Sequence, residues 1–262
     1  MLETALAQLR FAGSILFGTP FSRRALDHLI DGLLAHQQEF GVEDCRNSEL
    51  LSGPALDGQT RRAMHLRRFR TQAARAARET PHYHTLFAQL AVDPMRLRYE
   101  DIARIPPTPK EALRNTPDSF VRRTARPCLR TTTTGTTGRP TSIAFSAYEM
   151  QTYVALEAIG MLVNRQIAPD DVVLISSSSR ASLGNTCFAG ACARIGALVC
   201  PSGLVDPEIT LGLLAELHHV PGKKPRVSYL LTYPSYLGEL IEVGRRLGYR
   251  PADFGLERIG VG

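Results

Sequence analysis

Residues 131–142 read TTTTGTTGRPTS, eight hydroxyl side chains and two glycines in twelve positions. Small hydroxyls beside glycines suit a loop that wraps a polyanion. Gly135 and Gly138 free the backbone to turn successive N–H groups inward, and the threonine hydroxyls add donors around the same space. Arg139 brings a permanent charge matched to phosphate oxygens, and Pro140 stiffens the exit. A polar linker has a similar composition. The run, however, passes directly from RPCLR into IAFS, two segments that read as strands, and a loop between strands has little slack. It is not a Walker loop, which needs four residues between its glycines and then Lys-Ser/Thr. Here only Thr136 and Thr137 intervene, and Arg139-Pro140 follows. No GxGxxG dinucleotide fingerprint accompanies it.

Other residues with chemical potential give weaker signals. Cys187, Cys192 and Cys200 fall close together, with His218 and His219 downstream. A C-x4-C spacing without a second pair is a poor metal pattern, so small buried thiols are expected and no metal site. Five cysteines, an odd number without framework spacing, fit a reducing compartment. Between Arg61 and Thr80 there are seven arginines and one acid, Glu79. Leu66, Phe69, Ala73, Ala76 and Ala77 recur there at helical spacing, which predicts an amphipathic helix with a basic outer face. No nucleic-acid reader motif goes with it, so a solvated face is expected rather than a nucleic-acid surface.

The chain has 262 residues, 44% apolar and 21% charged, with a formal charge of +6. That suits one large or two small folded domains and a surface mildly favouring anions. No apolar run approaches the roughly 20 residues of a bilayer span. Phe11–Phe21 lacks the positive lead-in of a signal sequence. A cytoplasmic location without a membrane partner is therefore expected, and a homodimer is left open.

The elements that must position these residues follow from periodicity. Residues 1–60 read as a helical N-terminal extension, broken around Ser48–Gly58. The arginine helix ends around ETPHYH, where Pro81 disfavours continuation. In RIPPTPKEAL, Pro106, Pro107 and Pro109 enforce an extended approach to a helix over Lys110–Arg114. Beyond the threonine run, helices are predicted over Ser146–Val163, Thr186–Ile195, Pro207–His219 and Ser235–Leu247. Strands are predicted over Asp171–Ser176, Gly196–Cys200, Arg226–Thr232 and from Arg258. This alternation implies an α/β fold: a mostly parallel βαβ sheet with helices on both faces, preceded by the helical region. Each strand runs into small or polar residues, and ligands of such sheets collect outside the carboxyl ends of the strands. Ser178, Arg180 and Asn185 occupy one such rim, and Tyr233, Pro234, Ser235 and Tyr236 follow another strand.

TTGTTGRPT (Thr133–Thr141) resembles the phosphate-loop signature of the adenylate-forming superfamily of AMP-dependent synthetases and ligases. Its final threonine is most similar to the phenylacetate–coenzyme A ligase branch. LRRFRTQAARAARETPHYHTLF, RIPPTPKEALR, IAPDDVVLIS, ARIGALVCPSG and YLLTYPSYLGEL resemble segments of that branch in the expected order, over residues 62–262. The resemblance implies Mg-ATP-dependent activation of an aryl or small organic carboxylic acid to an acyl-adenylate, then transfer to coenzyme A. It assigns hydroxyl donation to Thr133, Thr134, Thr136, Thr137 and Thr141. Close approach of the phosphates would be allowed by Gly135 and Gly138, with charge support from Arg139 beside Pro140. It places Tyr233, Pro234, Ser235 and Tyr236 in the segment lining the acyl site.

The resemblance also implies residues 61–262 as an incomplete N-terminal core domain of such an enzyme. The catalytic residues of the family are expected beyond Gly262, and the C-terminal domain is absent. As written, the chain is expected to be a fragment lacking full activity. The alternative is a non-catalytic nucleotide- or anion-binding remnant of the same fold.

Overall fold

The computed structural model describes residues 2–40, 57–133, 140–178 and 183–261. The chain divides into two compact units, Met1–Leu29 with Arg46–Thr152 and Ile30–Cys45 with Tyr153–Gly262.

In the first unit, α1 (Leu2–Phe17) and the start of α2 (Arg23–Phe40) precede the arginine helix α3 (Gly58–Glu79). Asp57 opens α3 by accepting from the amides of Gln59 and Thr60, as an N-cap carboxylate should. Pro81 bars continuation of α3, as the sequence predicts. It is the first residue of α4 (Pro81–Leu90), where its missing N–H costs nothing. Ala73, Phe87 and Leu97 form a core, with Phe69, Ala77, Tyr83 and Ile105 packed around it. The arginines of α3 are used structurally. Arg70 donates to the Leu97 carbonyl at 2.6 Å, Arg75 and Arg78 pair with Glu79, and Arg62 and Arg67 lie over the rings of Tyr99 and Phe17. The proline segment leads into α5 (Lys110–Asn115) and is tied to α4 by a Tyr83–Thr108 hydroxyl contact of 2.9 Å. Strands β1 (Pro127–Thr132) and β2 (Ser142–Ser146) then pair antiparallel.

α6 (Ala147–Val163) runs from the first unit into the second. The second unit is built on a parallel four-stranded sheet in the order β4-β3-β5-β6. The strands are β3 (Val172–Ser176), β4 (Leu198–Pro201), β5 (Tyr229–Thr232) and β6 (Arg258–Val261). Their connections are α7 (Leu183–Ile195), α8 (Pro207–Ala215) and α9 (Pro234–Arg246). From β3 the chain first steps outward to β4, then returns past β3 to β5 and onward to β6. Right-handed crossovers must therefore put α7 on one face and α8 and α9 on the other. Side-chain packing agrees. Val172, Leu174 and Leu230 share a core with Leu211, Leu214, Tyr236 and Leu240 of α8 and α9. On the opposite face Tyr229 meets Phe188 of α7, ring centroids 5.7 Å apart. Every residue of β3 is buried, the signature of a central strand covered on both sides.

α8 is shorter than the pattern over Pro207–His219 predicts, since it stops at Ala215. Glu216 turns extended, and the His218 amide donates instead to the Pro225 carbonyl at 2.7 Å.

The amino ends of the strands are bound by a buried carboxylate. Asp171, fully buried, accepts from Lys224 Nζ (2.8 Å), Ser228 Oγ (2.7 Å) and the Ala168 amide (2.7 Å). Arg258 Nη2 sits 3.5 Å away, while its Nη1 donates to the carbonyls of Arg165 and Gln166. Glu257 completes the cluster by accepting from Lys224 and Arg258. Burial opposes ionisation of Asp171. The Lys224, Ala168 and Ser228 hydrogen bonds and the Arg258 charge outweigh it and leave the carboxyl below its ordinary pKa. Asp171→Asn should lower the stability read by urea titration by about 3 kcal/mol, the cost of breaking a buried ion pair from one side. Because the folded pKa is the lower one, this contribution is present above about pH 4 and is lost as acid passes the depressed value. The variant should therefore show a flatter acid limb than the wild type in a melting-temperature series.

Candidate active site

In the first unit, the strand pair is the frame of the threonine–glycine loop. Thr132 faces Ser142 in the β1–β2 register. One step further, the Thr133 amide donates to the Thr141 carbonyl, and the Thr141 amide donates to Thr133 Oγ1, both at 3.0 Å. The loop is thus pinched at its neck by backbone and side chain of the same threonine. Thr134, Gly135, Thr136, Thr137, Gly138 and Arg139 lie outside the described residues. Pro140 is exposed and Thr141 buried. The Thr141 and Ser142 hydroxyls are buried without a hydrogen-bond partner among the described residues, so polar capacity at the neck is unspent.

The frame is anchored on both sides. Ser146 and Glu149 make a reciprocal capping box at the start of α6. Glu149 Oε2 accepts from the Ser146 amide and hydroxyl at 2.7 Å, and Ser146 Oγ accepts from the Glu149 amide at 3.3 Å. Arg122 links Glu149 (3.5 Å) to Glu79 at the end of α3 (3.7 Å), and Arg130 of β1 pairs with Asp118.

In the second unit, the strand order reverses between β3 and β5, and in open α/β sheets ligands bind beyond the carboxyl ends at such a switch point. Ser176, Ser177 and Ser178 end β3, and Thr232 and Tyr233 end β5. The two ends are stitched by Thr232 Oγ1 donating to the Ser176 carbonyl at 2.8 Å. Asn185 of α7 reaches back and donates to Ser177 Oγ (2.6 Å) and the Ser178 carbonyl (2.9 Å), which holds the turn after β3. Arg180 lies outside the described residues.

Tyr233 is half-buried at the head of α9. Pro234 and Ser235 are exposed in its first turn, where no side chain caps the helix. The leading amides of a helix favour a carboxylate or phosphate oxygen. Tyr236 points the other way. It is buried, donates its hydroxyl to the Val205 carbonyl at 2.6 Å, and contacts Thr210 Oγ1 at 2.8 Å. Ser176 Oγ joins this chain of hydroxyls at Thr210 (3.4 Å) and donates to the Gly203 carbonyl (3.3 Å). Gly203 takes φ +70° there, a left-handed turn that disfavours a side chain. The structure therefore gives Tyr236 the task of fixing the turn after β4. Thr210, which sequence reasoning passed over, serves with it, as does Ser176 at the end of β3. A threonine set among the apolar residues Ile209, Leu211, Leu213 and Leu214 was the signal available.

Among the described residues, no three His, Cys, Asp or Glu side chains come together as a metal site. Cys187 and Cys192 are buried in α7, and burial pushes the Cys192 thiol up to about 12. Burial likewise raises the carboxyl of Glu157, whose Oε2 has no hydrogen-bond partner among the described residues. No described helix is long and apolar enough to cross a membrane.

No protein-family model and no curated protein sequence matches the chain. Solved structures do share its fold. A crystal structure of 2-hydroxyisobutyryl-CoA ligase in complex with 2-HIB-AMP and CoA, in the thioesterification state, superposes with a TM-score of 0.64 at 22% identity. It covers 78% of this chain and 43% of its own. An open conformation with the same ligands gives 0.62 at 20% identity, covering 77% and 47%. A postadenylation-state structure with R3-HIB-AMP gives 0.61 at 19% identity, covering 82% and 47%. The chain has the α/β fold of part of these ligases and spans less than half their length.

Two outcomes check the site description. Thr133→Val should remove the side-chain half of the neck and cost about 1 kcal/mol, the usual net worth of one hydrogen bond, in urea unfolding. Among the described cysteines, exposed Cys128 should alkylate first in the native protein. Cys187 and Cys192 should label only on unfolding, as followed by peptide mass spectrometry.

Proposed function

We propose that this chain belongs to an AMP-forming acid–thiol ligase of the adenylate-forming superfamily, with an aryl or small organic carboxylic acid as substrate and coenzyme A as acyl acceptor. One observation carries the reading. A TTGTTGRPT loop is held at its neck by the Thr133–Thr141 hydrogen bonds, in a chain with the fold of part of a CoA ligase. The likeness of sequence to the phenylacetate–CoA ligase branch supports the acid class.

In this reading a carboxylate oxygen of the acid attacks the α-phosphorus of ATP, the bond to the bridging oxygen breaks, and pyrophosphate leaves. A thiolate then attacks the acyl carbon and AMP departs. Magnesium arrives as part of the Mg-ATP substrate, held by phosphate oxygens. The chain's own contribution is positioning and electrostatic stabilisation. The loop amides, the hydroxyls of Thr133, Thr134, Thr136, Thr137 and Thr141, and the Arg139 guanidinium hold the β- and γ-phosphates as charge builds on the leaving group. Gly135 and Gly138 let the backbone approach. The turns bearing Ser178 and Asn185, and the open first turn of α9 with Tyr233, Pro234 and Ser235, contribute to the acid subsite. Tyr236 acts behind them as a positioning residue.

Mg-ATP should raise the melting temperature of the 262-residue chain in a concentration-dependent way. Arg139→Gln should weaken ATP about tenfold, the loss expected for one charge-assisted hydrogen bond, as measured by calorimetry. Among a panel of acids, those of the substrate class should support ATP–pyrophosphate exchange by the whole enzyme. ATP binding without exchange on any acid would leave a nucleotide-binding role and remove the ligase reading. Indifference to millimolar ATP would remove both.

A further inference from the structure

α1 is docked by one face and open on the other. Ala7 and Ser14, seven residues apart, are buried, and the Phe11 ring lies 5.4 Å from that of Phe21. The opposite face carries Leu6 (44% exposed), Leu9 (72%) and Leu16 (44%), with Gly13 between them. Their spacing of three, four and three is the seam of a two-stranded coiled coil, not the broader stripe of a core-facing helix. Apolar side chains this exposed, in register along one helix, mark an unfilled interface.

The residues flanking the seam indicate what fills it. With Leu6 and Leu9 as facing core positions, an antiparallel second copy of the helix sets Leu6 against Leu9 of its mate and Leu9 against Leu6. The same two-fold axis brings Glu3 alongside Arg10 of the mate on one flank, twice, with opposite charges. On the other flank it brings Ala5 alongside Ala12, two exposed small residues that let the helices approach closely. A Cβ added to Gly13 would meet nothing within 4 Å, so the seam is open there as well. Among the described residues Glu3 has only a 3.7 Å contact with Arg24, both side chains more than two-thirds exposed, which is weak competition. A lipid surface would gain from Arg10 but would be repelled by Glu3 on the same flank. Self-pairing uses both charges.

We infer that α1 is a self-association surface, through which two copies of this chain pair their first helices antiparallel along the Leu6–Leu9 seam. The helix is already folded onto its own unit, so the ordering cost that makes short isolated coiled coils unstable is largely met before association. A contact of two turns should still be weak, and dimers should form in the micromolar range.

Sedimentation velocity of the full chain over a concentration series reaching about 200 µM (well above a micromolar constant) should show a reversible monomer–dimer equilibrium. Leu9→Glu should abolish it without changing the circular dichroism or the melting midpoint of the monomer. Glu3→Arg and Arg10→Glu should each weaken the dimer several-fold, and the double exchange Glu3→Arg/Arg10→Glu should restore it, since the two-fold pairing then keeps opposite charges together. A chain that stays monomeric throughout overturns the inference. So does a dimer indifferent to Leu9→Glu, or a double exchange that fails to rescue. Monomers that instead bind phosphatidylglycerol vesicles through Leu9 would overturn it in favour of a membrane surface.

Discussion

A single buried carboxylate governs the second unit. Asp171 lies at the amino end of the central strand. Ala168, on the approach to the same strand, is one partner, and the other three come from segments that precede or open the neighbouring strands: Lys224, Ser228 and Arg258. An ionised group removed from water is tolerable only when its oxygens are fully engaged, so each partner must be in place for the others to be worthwhile. That requirement sets the register of β5 and β6 against β3 at one end of the sheet. The far end is then free to diverge into turns.

The rim has its own division of labour. Asn185 and Thr232 hold the turns after β3 and β5, and a buried run of hydroxyls from Ser176 through Thr210 to Tyr236 holds the turn after β4. These groups spend hydrogen bonds on backbone and on each other, and the first turn of α9 nearby is exposed at Pro234 and Ser235. The threonine–glycine loop in the first unit follows the same economy. Thr133 closes the neck, while the Thr141 hydroxyl next to it has no hydrogen-bond partner among the described residues.

Much of this was legible in advance because local rules carried it. The β-branched runs at Val172–Ser176 and Tyr229–Thr232, the helical spacing between them and the prolines at helix starts each respond to forces acting within a few residues. Pro81 stops the arginine helix as expected, and it also begins the next one, since a proline suits a first turn. One local reading failed. The helix from Pro207 was expected to reach His219, but Pro225, distant in sequence, claims the His218 amide.

The sequence alone determined the α/β alternation, the glycine–hydroxyl loop and its strand flanks, because periodicity and turn chemistry are properties of neighbouring residues. Only the tertiary structure decided which charges are structural and which hydroxyls are buried. Asp171 looks like any strand-flanking acid until Lys224 and Arg258 arrive from 53 and 87 positions away. Tyr236 looks like a rim residue until helix packing turns its hydroxyl inward. Strand order, and with it the switch point between β3 and β5, depends on the side to which each crossover returns. Sheet packing settles that choice, since no single segment of the chain encodes it.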